Sequence, residues 1–186
     1  MNSNKGTLRI IGGKFRSRRL RVPSRPGLRP TPDRVRETLF NWLGQDLAGC
    51  ACLDLFAGSG ALGFEAASRG AARVVMVEKD RTALAMLERS RAALGAAQVE
   101  IVAADAATYL ARGGKRFDVV FLDPPFRQNA VPAMLASLGS RLVPGARVYV
   151  EAQRAVSPVS PWIELKRAQA GQVSYQLLQW QANEGR

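Results

Sequence analysis

Apolar and polar positions change rhythm at residue 51. Before it, glycine, proline and arginine interrupt the chain every few residues. After it, short apolar runs at 51–56, 73–78, 99–103, 117–123 and 146–152 read as buried strands. Between them, 62–69, 81–94, 105–111 and 131–142 read as helices, with Leu84, Leu87 and Leu94 at helical spacing in the longest. Strands alternating with helices predict an α/β fold, a doubly wound and mostly parallel sheet covered on both faces. The alternation stops at Ser157-Pro158-Val159-Ser160-Pro161, a loop. Residues 163–168 and 172–180 then alternate around Ala170-Gly171, which predicts a terminal antiparallel hairpin.

The first 46 residues form a separate extension, ahead of a main domain at 47–186. Residues 8–11 and 14–22 flank Gly12-Gly13 and read as a basic hairpin with a glycine turn. Pro23, Pro26 and Pro30 make 23–30 a stiff extended linker. Thr31-Pro32-Asp33 starts a helix, with Thr31 as N-cap and Pro32 at the first helical position. It runs to about residue 45. Val35, Leu39, Trp42 and Leu43 share one face, which docks on the main domain, while Arg34 and Arg36 lie elsewhere.

Charge sharpens this division. The chain of 186 residues carries a net charge of +12 and a sequence pI near 11.0. Residues 1–36 hold eleven basic side chains against Asp33 alone, so the body is nearly neutral. Such an arm seeks a polyanion. Arg9, Lys14, Arg16, Arg18, Arg19, Arg21, Arg25 and Arg29 suit phosphate contacts more than base reading. The chain has no histidine, and its two cysteines, Cys50 and Cys52, fall on one face of a strand as small core residues. This excludes a credible zinc site and histidine-dependent triads. No apolar run approaches the ~18 residues of a membrane span, and no signal peptide is evident, so a cytoplasmic monomer is expected.

Candidate chemistry sits where strands end. Asp54-Leu55-Phe56-Ala57-Gly58-Ser59-Gly60-Ala61-Leu62-Gly63 places a G-x-G-x-x-G loop at a strand-to-helix junction, which signals a nucleoside-bearing cofactor. A dinucleotide would set its pyrophosphate on the helix N-terminus. Asp54 would repel that group and attract a sulfonium or ammonium, which favours S-adenosylmethionine. Glu78 ends the next strand, where an acid binds ribose hydroxyls of either cofactor, with Lys79 beside it. Asp105-Ala106 follows the third strand, and Asp105 either accepts from an adenine amino group or caps the next helix. Asp123-Pro124-Pro125-Phe126 closes the fourth. Two prolines cannot donate, so the Asp123 and Pro124 carbonyls are free to face a ligand, and Phe126 offers a stacking surface. The pocket suits a planar base carrying an amino group.

The order Asp54, Gly58-x-Gly60, Glu78, Asp105 and Asp123-Pro124-Pro125-Phe126 resembles the class I S-adenosylmethionine-dependent amino methyltransferases. Arg9-Ile10-Ile11-Gly12-Gly13-Lys14-Phe15-Arg16 and the stretch from Leu28 to Leu43 closely resemble the bacterial 16S rRNA guanine-N2 methyltransferase family, called RsmD. The resemblance covers nearly the whole chain. It implies a seven-stranded Rossmann-like methyltransferase sheet, with S-adenosylmethionine as cofactor and small-subunit ribosomal RNA as substrate in a particle carrying ribosomal proteins. It implies catalysis by Asp123, Pro124, Pro125 and Phe126. Cofactor contacts would come from Phe56, Ala57 and the loop glycines, with Thr31 near the cofactor's amino-acid end. The competing readings are a DNA adenine-N6 methyltransferase, a nicotinamide oxidoreductase and a non-catalytic RNA-binding assembly module.

Overall fold

A computed structural model describes residues 6–22, 31–125 and 130–182. Phe126, Arg25, Arg29 and the three linker prolines lie outside them. The main sheet has seven strands, β3 (Ala51–Asp54), β4 (Arg73–Glu78), β5 (Val99–Ala103), β6 (Phe117–Leu122), β7 (Leu142–Ala152), β8 (Trp162–Ala170) and β9 (Val173–Trp180). Their order is β5-β4-β3-β6-β7-β9-β8, parallel from β5 to β7 and antiparallel beyond. The chain enters in β3, winds outward to β5, and crosses back to β6. The winding therefore reverses between β3 and β6, where open α/β sheets hold their ligands.

Alternation along the strands splits the core in two. Cys52, Val119, Phe121 and Tyr149 face one layer, with Leu62, Phe64 and Leu87 of α2 (Ala61–Ser68) and α3 (Arg81–Leu94). Leu53, Val120, Leu122 and Val150 face the other, against α4 (Ala106–Ala111) and α5 (Val131–Leu138). The expected helix to residue 142 stops at 138. A 3-10 turn at Gly139–Arg141 leads into β7 at Leu142, and the strand is irregular before Arg147, where pairing with β6 slips.

The N-terminal residues join the first layer. Helix α1 (Asp33–Leu43) buries Val35, Leu39 and Leu43, stacks Trp42 on Tyr175 at 5.4 Å and sets Phe40 against Phe121 at 5.9 Å. Leu8, Ile10, Phe15, Leu20 and Val22 belong to the same cluster. Thr31 does not cap α1. Pro32 occupies that position and no side chain caps the first turn.

Two further N-terminal expectations need correction. Strands β1 (Thr7–Arg9) and β2 (Arg19–Arg21) do pair antiparallel, but Gly12-Gly13 is not their turn. Residues 10–18 form a long loop pressed on α2, where a Cβ on Gly13 would lie 1.8 Å from the Ser68 carbonyl oxygen. Arg36 is not on an outer face either. It is fully buried, with Nη1 3.3 Å from Glu65 Oε2 and Nη2 donating to Asp33 at 2.6 Å and to the Arg9 carbonyl at 2.8 Å. A guanidinium can be buried when its donors find carboxylates. Glu65, also 0% exposed, accepts from Ile11 N, Gly12 N, Arg36 and Arg69, which fills its lone-pair sites.

These contacts fix directions. Arg36 meets the middle of α2, Phe40 lies under Arg69 just past its end, and Leu43 O accepts from Arg147 midway along β7. Helix α1 therefore runs antiparallel to the strands, with its first turn toward their carboxyl ends.

Candidate active site at the carboxyl edge of the sheet

Each of the five parallel strands carries an acid within two residues of its carboxyl end. Across the sheet they are Asp105, Glu78, Asp54, Asp123 and Glu151. Their surroundings separate them into two groups.

Asp105 and Glu78 are held by N–H groups. Asp105 caps α4, accepting from Thr108 N at 3.0 Å and Thr108 Oγ1 at 2.6 Å. Those bonds hold its carboxyl below the usual carboxylate range. Of its two expected roles the structure displays the cap. Glu78 Oε2 accepts from Gly58 N at 2.9 Å, and Oε1 accepts from Lys79 N and Asp80 N at 2.8 Å each. It ties the glycine loop to the start of α3, and little acceptor capacity is left over for a ribose. Lys79 itself is exposed. Ala106 is buried at the first position of α4.

The glycine loop is shaped by packing as much as by a ligand. Gly60, at φ 79°, would drive a Cβ to 2.5 Å from the Phe64 ring, and one on Gly63 would reach Met76 at 2.3 Å. Gly58, at φ 50°, takes a backbone that side chains resist. Ala57 N bonds the Val77 carbonyl and Gly60 N the Ala57 carbonyl, so the loop is set before a ligand arrives. Phe56 is half-buried and Ala57 buried at the loop's entry.

Asp54, Asp123 and Glu151 lie on the three central strands, and alternation sends them to one face. Asp54 pairs with Phe121, Phe121 with Tyr149, and Leu122 with Val150. Asp123 and Glu151 are thus level on adjacent strands, with Asp54 one diagonal step back. Opposite Cβ atoms in a sheet stand ~5 Å apart. Asp54 is 2% exposed and accepts from Gly63 N at 3.1 Å. Burial pushes its carboxyl up to about 7, against the bonds from Gly63 and Phe56. Asp123 is half-buried, and burial, then Glu151, then Asp54 hold it well above the usual carboxylate range. Among the described residues no cation pairs with any of the three. An uncompensated anionic niche beside a glycine loop fits a cationic cofactor and disfavours a pyrophosphate.

Glu151 was not among the residues expected from the sequence. It is 7% exposed and accepts from Tyr149 Oη at 3.0 Å. The signal available was its place near the end of a strand, two residues past a tyrosine. Thr31 is buried next to the first turn of α1, with no hydrogen bond from its hydroxyl among the described residues.

The arm cations lie apart. Lys14 N donates to Ser68 O and Arg18 Nη2 to Ala93 O, so the loop of the β1–β2 ribbon sits over the C-terminal ends of α2 and α3. Those ends face away from the carboxyl edge. Arg9 pairs with Asp33 at 3.5 Å, whereas Lys14, Arg16, Arg19 and Arg21 are exposed without an ion pair among the described residues.

A parallel sheet closed by an antiparallel pair, with a glycine loop and an acidic diproline turn flanking the reversal point, defines a Rossmann-like methyltransferase. The family model described as Conserved hypothetical protein 95 matches residues 8–179. Ribosomal RNA small subunit methyltransferase D of Escherichia coli K12 is 44% identical over 186 residues, covering 97% of this chain and 94% of the relative. The yhhF methyltransferase structure from Escherichia coli superposes with a TM-score of 0.87 at 43% identity, over 96% of this chain and 100% of that one. A methylase structure from Haemophilus influenzae gives 0.81 at 38%, over 95% and 100%. The chain belongs to the ribosomal RNA small subunit methyltransferase D family. No helix among the described residues is long and apolar enough to cross a membrane.

Proposed function

We propose that this enzyme transfers a methyl group from S-adenosylmethionine to the exocyclic N2 amino group of a guanine in small-subunit ribosomal RNA. The observation that carries the reading is the Asp123-Pro124 turn at the winding reversal, level with Glu151 and one step from Asp54. The niche formed by Asp54 and the 56–60 loop would hold the cofactor, which supplies an electrophilic methyl on a positively charged sulfur. Glu78 would meet its ribose by yielding one of its backbone bonds.

An exocyclic amine is a weak nucleophile because its lone pair is delocalised into the ring. The Asp123 and Pro124 carbonyls accept its two hydrogens and hold the nitrogen so that the lone pair points across the lip. The Asp123 carboxyl, easily protonated in the free enzyme, ionises when a cation shares the niche. It is then placed to take the proton that the nitrogen sheds. The base must leave its stack to reach this lip.

The arm extends the footprint. Lys14 and Arg16 sit near the far end of α2, ~10 Å of helix from the crevice by the usual rise per residue. Contacts that far apart call for a folded RNA and not a lone nucleotide, which suits a ribonucleoprotein particle. The test is transfer of tritiated methyl to small subunits lacking the modification, followed by mapping of the labelled base. Label on one guanine N2 is expected. Label on any other base or atom, or none, would overturn the reading.

A further inference from the structure

Glu151 has a feature that the transfer chemistry leaves unused. Its Oε2 is occupied by the Tyr149 hydroxyl, while Oε1 has no partner among the described residues. Oε1 is also not among the buried atoms sealed without a partner; Arg36 Nε alone is. A carboxylate oxygen at the surface of the crevice, level with Asp123, is an acceptor placed beside the reacting amine.

On a guanine, the donor adjacent to the N2 amino group is N1–H. The geometry points to Glu151 as the residue that reads that N1–H, so that the site accepts guanine and rejects a purine with a lone pair at N1. This inference rests on the guanine-N2 reading. Two acceptors at the Asp123-Pro124 turn and a third on Glu151 match the three hydrogens on that edge of guanine. An adenine, or any base with N1 unprotonated, would set a lone pair against the carboxylate.

Tyr149 is the positioning residue. It is fully buried, its ring packs on Tyr175 at 6.4 Å, and its hydroxyl donates to Oε2 and so favours the ionised form of Glu151. The titratable groups facing Glu151 are Asp123 on β6, Asp54 on β3, Tyr149 beside it and Tyr175 opposite it on β9. Burial raises the Glu151 carboxyl and the Tyr149 bond opposes that rise.

The experiment uses subunits carrying either guanine or 2,6-diaminopurine at the target position. Diaminopurine keeps the reacting amine and lacks N1–H. The wild-type enzyme should prefer guanine on the order of 10–100-fold in kcat/KM, the strength of a hydrogen bond to a charged group. Glu151→Gln, whose amide can donate to N1, should bring that ratio close to one. Tyr149→Phe should retain the preference and move the acidic limb of turnover to higher pH. An unchanged ratio in Glu151→Gln, with its melting temperature intact, would overturn the assignment. If Glu151→Gln unfolds, an unshifted acidic limb in Tyr149→Phe would overturn it instead. Failure of the wild-type enzyme on both substrates would refute the guanine-N2 reading itself, a separate outcome.

Discussion

Glu65 and Asp54 are carboxylates with no more than 2% of their surface exposed, on the same side of the sheet; α2 carries the first and donates Gly63 N to the second. Glu65 meets two guanidiniums and two backbone N–H groups. Asp54 meets backbone N–H groups and, nearby, the further acids Glu78 and Asp123. The first cluster is neutralised from within the chain and ties the basic ribbon to the helix layer. The second lacks a countercharge among the described residues, and burial raises the carboxyls of Asp54 and Asp123. Buried charge completed by the protein reads as structure, and buried charge awaiting completion reads as a site for a cation.

Removing an acid from each cluster should therefore give opposite results. Glu65→Ala takes from Arg36 and Arg69 the buried carboxylate they share and should cost ~3–5 kcal/mol, read as a lowered melting temperature. A loss under ~1 kcal/mol would mean the hub is idle. Asp123→Ala should hold or gain stability while turnover falls on the order of 10²–10³-fold, the usual size for one group lost at a developing charge. Cofactor binding, followed by calorimetry, should survive. Unchanged turnover would remove the Asp123 carboxyl from the chemistry.

Asp54 gives the comparison a pH axis. Its folded carboxyl titrates at about 7 against an ordinary value of 3.8. Between those values the folded protein holds a proton that the unfolded chain has released. Stability of the free protein should then fall as pH rises from about 4 to about 7, by at most ~1.4 kcal/mol per pH unit for one proton. Asp54→Asn, which can still accept from Gly63 N, should flatten that slope. In the wild type, cofactor binding should weaken below about pH 7 and release a proton when measured in buffers of different ionisation enthalpy. A pH-independent affinity would show that Asp54 does not change its protonation when the cofactor binds.

The parallel strands and four of the five acids at their ends were legible because both follow local rules, namely apolar runs and glycine junctions. The Asp123-Pro124-Pro125 turn announced itself because two prolines cannot pair. Glu65 and Arg36 were hidden since each reads as an ordinary polar position in a helix, and their pairing spans 29 residues of sequence with no periodic trace. The glycine loop was readable in position but not in cause, because Phe64 and Met76 require Gly60 and Gly63 through tertiary packing. Gly12-Gly13 resembled a hairpin turn for the same reason, its true demand being close packing on Ser68. Glu151 escaped because a lone acid near a strand end carries meaning only once its level neighbour is known.

The smallest effects belong to the exposed cations, and they sharpen the comparison from outside. Arg16, Arg19 and Arg21 are exposed and unpaired among the described residues, so replacing any of them with alanine should leave the folding stability within ~0.5 kcal/mol. Removing one cation that meets a phosphate should lower the slope of log affinity against log salt by ~1, measured on small subunits or their RNA. Turnover at saturating substrate should hold, because these side chains lie on the ribbon and not at the lip. Arg18, whose guanidinium already serves the Ala93 carbonyl, should contribute less than its neighbours. If the slope is the same for the triple variant as for the wild type, the ribbon's charge serves solubility and the RNA is gripped elsewhere. If turnover falls with it at saturation, the ribbon orients the base as well as binding the strand.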